Sequence, residues 1–290
     1  MSKLICTKDF SPEELRKWQL KLLEILVYFR DFCEEHNLKF TLAAGTLLGA
    51  VRHKGFIPWD DDLDVQMPRE DYDKLIDLWD KYADKSKFRC EKNNKERCVK
   101  YPMAVCRSMD TTCIYEHSVN SDICQGLKID VEFLDGVPSG KWHRTFNQCC
   151  AQLFALLSAE RIPNSKSSII KSFSKVVLTI FPCHNIRWKI CSLLEKQIKK
   201  CRFDSDCEYV RYLATPLRKK SCYLDVEYVD FEGYKMPIPV GYDEILRAYY
   251  GDYMQFPPKE KQIPLDNNIV FYDLDHSYLD YKGKYYCVSK

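Results

Sequence analysis

No stretch of this 290-residue sequence approaches the roughly 20 consecutive apolar residues that a membrane-spanning helix needs. The first nine residues, Met1 to Asp9, carry no apolar core of a signal peptide, so a cytoplasmic protein is expected. Excess charge of one sign is also missing. Lys and Arg number 44 against 42 Asp and Glu, a formal charge of +2, so there is no global basic field of the kind that draws nucleic acid. No nucleic-acid partner is expected, and any anionic ligand has to be held locally. The 15 cysteines are an odd number with no CxxC pair and no short Cys/His spacing. That pattern argues against a disulfide scaffold and for reduced thiols packed as small hydrophobes. No N-x-S/T sequon occurs, which also speaks against a secretory lumen. Repeats and low-complexity tracts are absent. What is present, 46% apolar, 13% aromatic and 30% charged residues, is the composition of a globular protein large enough for one big domain or a domain with a helical annex.

Ser11-Pro12-Glu13-Glu14 is a helix start, with Ser11 as cap, Pro12 at the first helical position and Glu14 three residues after the cap. Leu15, Trp18, Leu22, Ile25, Phe29 and Phe32 then recur at helical spacing, predicting a helix to about His36. Leu38 to Ala44 leans to strand, and Gly45-Thr46 opens a second helix that runs to about His53. Leu63, Val65 and Met67 alternate with Asp62, Asp64 and Gln66, which predicts a strand with one acidic face. Pro68 to Asp84 returns to helical spacing. Lys128 to Phe133 repeats the strand pattern, with Ile129, Val131 and Phe133 inward and Lys128, Asp130 and Glu132 on the other face. Trp142 to about Cys201, interrupted at Pro163-Asn164-Ser165 and Pro182, reads as a helical region, so a boundary is placed near Gly140. Within it Phe173 to Phe181 is read as a core helix; its flanking Lys171, Lys175 and Arg187 leave a membrane-surface role as the alternative. Phe231 to Pro237 resembles a turn or hairpin before a helix at about Tyr242 to Tyr250.

Residues i and i+2 of a strand point to one face about 7 Å apart, so Asp62 and Asp64 can aim at one small volume. Carboxylates held that close repel unless a cation lies between them, and hard oxygen ligands suit Mg²⁺ or Mn²⁺. Asp130 is the candidate third ligand, or the base that activates an acceptor hydroxyl. Within the same run Asp60 lies at the edge of this side, and Asp61 is expected to point away. An EF-hand is rejected, because its sixth-position Gly is Val65 and its twelfth-position Glu is Asp71. Gly45 and Thr46, where a predicted strand gives way to a helix, are candidates for phosphate binding by backbone N–H groups. Arg52 and His53 are candidates for neutralising a diphosphate leaving group.

The run from Gly45 to Asp64, with its Gly-Thr, Arg52-His53, Pro58-Trp59 and Asp60-Asp61-Asp62-Leu63-Asp64 in register, closely resembles the signature of the LicD family, which also includes fukutin and the fukutin-related proteins. Lys128 to Pro138 and Phe231 to Pro258, including Tyr249-Tyr250-Gly251-Asp252-Tyr253, are similar to further family features, while the helical middle matches little. The resemblance implies an α+β, nucleotidyltransferase-like mixed sheet flanked by helices, with a helical insertion. The expected organisation is a catalytic core over 1–140, a helical subdomain over 141–205, and a C-terminal part over 206–290 that completes the catalytic domain.

The resemblance further implies that Asp62, Asp64 and Asp130 hold divalent metal. It implies transfer of a phospho-alcohol from a CDP-alcohol donor, CDP-choline being favoured, to a glycan or glycolipid hydroxyl, with release of CMP. The family's acceptors are teichoic acid or lipopolysaccharide precursors. Without the amino-terminal anchor of the eukaryotic relatives, the expected location is cytoplasmic, at the inner face of the membrane. Two alternatives remain open: transfer of a nucleoside monophosphate to a sugar, protein or nucleic acid, and a catalytically silent glycan-binding relative.

Overall fold

The computed structural model describes residues 4–163, 167–264 and 268–288. In chain order its elements are α1 (Pro12–Glu35), β1 (Thr41–Leu42), α2 (Ala44–His53), β2 (Asp64–Pro68), α3 (Arg69–Tyr82), β3 (Phe88–Glu91), β4 (Ala104–Ser108), β5 (Thr112–Tyr115), β6 (Lys128–Val137), α4 (Lys141–Ala159), α5 (Ser168–Ile180), α6 (His184–Ile198), β7 (Tyr209–Arg211), β8 (Arg218–Lys219), β9 (Val226–Phe231), β10 (Tyr234–Pro239), α7 (Tyr242–Tyr250) and β11 (Ile269–Asp273). The fold is α+β, as expected.

α1 begins where its cap predicts: Ser11 Oγ accepts from Glu14 N–H at 3.1 Å and Glu14 Oε2 accepts from Ser11 N–H at 2.8 Å. It ends because Asn37 turns left-handed, φ 53°, and Leu38 N–H closes on Cys33 O at 2.8 Å, the bond that terminates a helix with an αL residue. The same turn shortens the expected Leu38 to Ala44 strand to Thr41–Leu42. Trp18, Leu22, Ile25, Leu26 and Phe29 are buried, each contributing about 1.5 to 3 kcal/mol relative to exposure.

The main sheet runs β1-β2-β6-β4-β3, with β7 and β8 added at the far end of β6. β2 and β6 are parallel, with Asp64 opposite Asp130 and Gln66 opposite Glu132; the other neighbours pair antiparallel. Val65, Met67, Ile129, Val131 and Phe133 all point into the core. Behind the sheet, Arg69 reaches Asp135 through Nε at 2.7 Å and Nη2 at 2.6 Å, and Glu195 through Nη1 at 3.1 Å. This buried guanidinium ties α3 and β6 to α6 of the helical region. Buried thiols such as Cys33, Cys90, Cys106 and Cys150 are reduced and serve as packing.

The helical region is α4, α5 and α6, and the expected break at Asn164-Ser165 lies outside the described residues. The core reading of Phe173 to Phe181 is corrected: Ile169 is 79% exposed, Phe173 63%, Val176 55% and Ile180 63%, so one apolar stripe of α5 faces outward. Apolar periodicity identifies such a stripe but not what covers it. No helix among the described residues is long and apolar enough to cross a membrane.

After this region the chain returns to the core. β9 and β10 form a hairpin whose two turn residues, Glu232 at φ 52° and Gly233 at φ 83°, have the signs of a type I′ turn. α7 packs on α2, and β11 pairs with β5.

Candidate active site

The acidic run is held from below by α1. Trp18 Nε1 donates to Asp61 O at 2.8 Å, and Gln19 Nε2 donates to Asp60 O at 2.9 Å. From the other side Glu232 Oε1 accepts from Phe56 N–H at 3.1 Å while its Oε2 meets Arg16 Nη2 at 2.6 Å. Gly55 permits that approach, since a Cβ there would stand 2.3 Å from Glu232 Oε1.

The strand expected from Asp62 begins instead at Asp64; Asp62 lies in the preceding loop and is exposed. The reason is Asp61, which is buried and takes a hydrogen bond from the Thr7 hydroxyl, breaking the simple alternation. Nor does Asp61 point clear of the site: Asp60, Asp61 and Asp62 each offer a carboxylate oxygen, all within 4.8 Å of one another. Asp64 and Asp130, neighbours in the parallel register, form the floor beside them.

This is a set of anions without enough counter-charge. Burial, then the charges of Asp62 and Asp61, push the Asp60 carboxyl up to about 8. Burial, then Asp62, Glu132 and Asp130, raise Asp64 well above the usual carboxylate range. Glu132 is pushed up to about 7, chiefly by burial, against the pull of its bond from Gln66. Lys128 Nζ lies 2.6 Å from Asp130 Oδ1. A hard divalent cation fits such an all-oxygen set and would relieve the repulsion. A second cluster of metal-ligand type among the described residues, Cys98, Glu160 and His184, is closed by its own bonds: both His184 ring nitrogens are partnered, and Arg187 holds Glu160 at 2.9 Å.

Gly45 and Thr46 serve the carboxylates. A Cβ on Gly45 would stand 2.8 Å from Asp60 Oδ2, so the first turn of α2 receives Asp60. The buried Thr46 hydroxyl accepts from Asp64 N–H at 2.9 Å and pins the start of β2. Arg52 is turned toward the C-terminal segment, where Nη1 donates to Tyr253 O at 2.7 Å and the guanidinium lies 4.9 Å from the Phe256 ring. His53, beside Trp59 and Phe256, has a buried Nε2 with no partner; burial and Arg52 lower its pKa.

Sequence reasoning assigned no role in the site to Tyr249, Tyr250 or Arg218. Tyr250, at the end of α7, is pushed up to about 12 by burial and then by the charges of Asp60, Asp64 and Asp62. Beside it the Arg218 guanidinium lies 3.8 Å from the Tyr249 ring centroid. Arg218 is only 7% exposed, and its Nε and Nη2 are buried without partners. Buried guanidinium donors are rarely left unpaired, and a planar fork of this kind matches phosphate oxygens. In the sequence Arg218 heads the tract Arg218-Lys219-Lys220, which reads as solvated charge; nothing there marks it.

Comparison with known proteins follows the same residues. The family model described as LicD/FKTN/FKRP, nucleotidyltransferase domain, matches residues 37–122. The chain is 28% identical over 272 residues, covering 86% of it and 95% of the relative, to the lipopolysaccharide cholinephosphotransferase LicD of Haemophilus influenzae. Shorter matches reach uncharacterised proteins of Rickettsia prowazekii, 39% identical over 67 residues covering 21% of this chain and 25% of the relative, and of Rickettsia typhi, 44% identical over 55 residues covering 19% and 18%. The matched domain carries the acidic run, and the likeness to LicD extends over most of the chain.

Proposed function

We propose that the chain is a phosphocholine transferase that takes a phospho-alcohol from a CDP-activated donor and passes it to a glycan or glycolipid hydroxyl. The observation that carries this reading is the carboxylate set, Asp60 with Asp62 and Asp64 paired with Asp130, to which the buried and unpaired donors of Arg218 add a cation. An anionic set of this kind suits a bound metal, and an unpaired buried guanidinium suits a phosphate. The name of the Haemophilus relative supports choline as the alcohol and lipopolysaccharide as the acceptor.

The four aspartates would hold Mg²⁺ or Mn²⁺, which would supply charge neutralisation at the transferring phosphoryl group. Arg218 binds phosphate oxygens of the donor, and its stacking on Tyr249 fixes the plane of the fork. Tyr249 and Tyr250, half-exposed on α7, offer ring faces to a quaternary ammonium. The acceptor oxygen attacks the phosphorus bearing choline, the bond to the CMP oxygen breaks, and CMP leaves. Asp130 is already bonded to an ammonium, whereas Glu132, next on the same face, is bonded only by the neutral Gln66 amide at 2.6 Å. Glu132 is therefore the residue that takes the hydroxyl proton.

A glycolipid acceptor lies at a membrane, and the helical region suits that surface. Residues 141–203 hold twelve Lys and Arg against Glu160 and Glu195 alone, in a chain whose total is +2. The exposed stripe of α5 lies within this basic region, the pattern of an interfacial helix on anionic lipid.

The test is to incubate purified protein and Mn²⁺ with CDP-choline, CDP-ribitol and CDP-glycerol, measuring CMP release and the mass of the product. CMP release with choline phosphate on the acceptor is expected. A product carrying the nucleotide, or no CMP from any donor, would overturn the reading.

A further inference from the structure

On the polar face of the sheet, one residue pair along from Asp130, the antiparallel register sets Lys128 beside Arg107. Above them lies the buried Tyr101, with Lys128 Nζ 4.9 Å, the Arg161 guanidinium 5.4 Å and the Arg107 guanidinium 5.8 Å from its ring centroid. Arg161 Nη1 also lies 3.2 Å from His117 Nδ1, and Lys100 Nζ donates to His117 O at 2.6 Å. The groups come from β4, β6, the end of α4, the segment before β4 and the helical turn after β5, so this is a built convergence rather than one charged run. Among the described residues, Asp130 is the one carboxylate hydrogen-bonded to any of the four cations.

Two polar atoms here are buried and unpartnered, Arg107 Nε and His117 Nε2, and Arg107 is only 1% exposed. Lys100 is held at φ 63°, a conformation that costs a side-chain-bearing residue. Burial, followed by Arg161, Arg107, Lys100 and Lys128, holds the His117 imidazole down at about 3. Four cations around a neutral histidine and orphaned donors, with an opening at the exposed Arg161, describe a receptor for an anion.

We propose that Lys100, Arg107, His117, Lys128 and Arg161 form a subsite for a phosphate monoester on the acceptor glycan, which holds the sugar so that a neighbouring hydroxyl reaches the carboxylate row. That the anion belongs to the acceptor rests on the phosphotransfer reading; that the subsite binds phosphate does not. Arg218, stacked on Tyr249, is not one of these cations, so the donor and acceptor phosphates have separate cations.

The experiment uses the full chain without donor or metal. Glucose 6-phosphate, glucose and CMP are titrated by calorimetry, and the His117 ring is followed by NMR as pH is varied. Glucose 6-phosphate is expected to bind, glucose not, with affinity falling as salt rises. Lys100→Gln with Arg161→Gln should weaken binding at least tenfold at unchanged melting temperature, and Arg161→Lys should restore part of it. Bound sugar phosphate should move the His117 titration up toward the ordinary histidine value. Equal affinity for glucose and its phosphate, or a His117 titration that ignores the ligand, would overturn the subsite. Competition by CMP would overturn its assignment to the acceptor. Because no turnover is required, failure of CMP release with binding intact would sink the phosphotransfer reading alone. Absent binding with CMP release intact would sink this subsite alone.

Discussion

Asp62→Asn should make the metal-free protein more stable while removing its response to metal. The Asp62 charge helps raise Asp60, Asp64 and Glu132 together, and its carboxylate shares a 4.8 Å cluster with Asp60 and Asp61. At such a separation a like-charge pair costs about 1 kcal/mol in water and about 3 kcal/mol at an effective dielectric near 20. Because Asp62 is exposed, the gain from removing its charge falls in the range of about 1 to 3 kcal/mol, or about 2 to 8 °C in Tm for a chain of this size. The gain depends on pH in a definite direction. Asp60, pushed up to about 8 from 3.8, binds its proton more tightly in the folded than in the unfolded state. Its contribution is full below about pH 4 and is lost as pH rises toward 8. Metal-free wild type therefore weakens across that window, and Asp62→Asn weakens less. Mn²⁺ reverses the order, since a ligand at about 100 times its Kd stabilises the folded state by about 2.7 kcal/mol and the variant has lost a ligand. Calorimetric melts in EDTA and in Mn²⁺ from acid to alkaline pH measure both effects. A variant less stable than wild type in EDTA near pH 8, or one with the full Mn²⁺ shift, would refute the reasoning.

Arg218→Gln should raise KM for the CDP-alcohol at least tenfold while leaving Tm equal or higher, because it removes two buried unpartnered donors; steady-state kinetics beside a melt decide it. Asp135→Asn removes the bidentate carboxylate from the Arg69 guanidinium, which is 2% exposed and keeps Glu195 at 3.1 Å, and should cost about 1.5 to 3 kcal/mol by urea unfolding; Arg69→Met with Asp135→Leu should recover most of that loss. Phe173→Ser with Ile180→Ser, at positions already exposed, should abolish flotation with phosphatidylglycerol vesicles at unchanged circular dichroism. Wild type that floats equally with neutral phosphatidylcholine, or that dimerises through this stripe by light scattering, would show that charge does not select its partner.

Local physics made much of the framework legible. The Ser11 capping box and the Tyr242–Tyr250 helix fall where their residues predict, because caps and periodicity are written within a few positions. The acidic strand and the strand bearing Asp130 were each readable for the same reason: alternation of Leu63, Val65 and Met67, or of Ile129, Val131 and Phe133, with polar residues fixes a face. What failed depended on distant partners. Asp61 is drawn inward by Thr7, 54 positions earlier, and no local signal says so. The parallel pairing that sets Asp64 beside Asp130 is tertiary. So is the contact that turns Arg218 from an apparently solvated cation into a buried one, and α5 revealed its stripe but not that the stripe faces outward.

The distribution of charge on the sheet follows from the chemistry proposed for it. Two anionic substrates have to approach a row of carboxylates, which repels both. A metal ion can offset that repulsion at the point of reaction but not along each substrate's length. On this account each substrate needs its own cations, set apart so that they do not satisfy the carboxylates and close the site. Arg218 on Tyr249 and the cations around Tyr101 are two such separate sets. Lys128, bonded to Asp130 and lying 4.9 Å from the Tyr101 ring centroid, is shared between row and cluster. Its ammonium loses by burial, yet Asp130 and Tyr101 outweigh that loss and keep it charged. Lys128 therefore links the two halves electrostatically: an anion bound over Tyr101 draws on the same charge that steadies Asp130. Occupation of the acceptor subsite should accordingly tighten the carboxylate row's hold on metal, because Asp130 then shares its ammonium with a second anion and presents more negative charge to the cation.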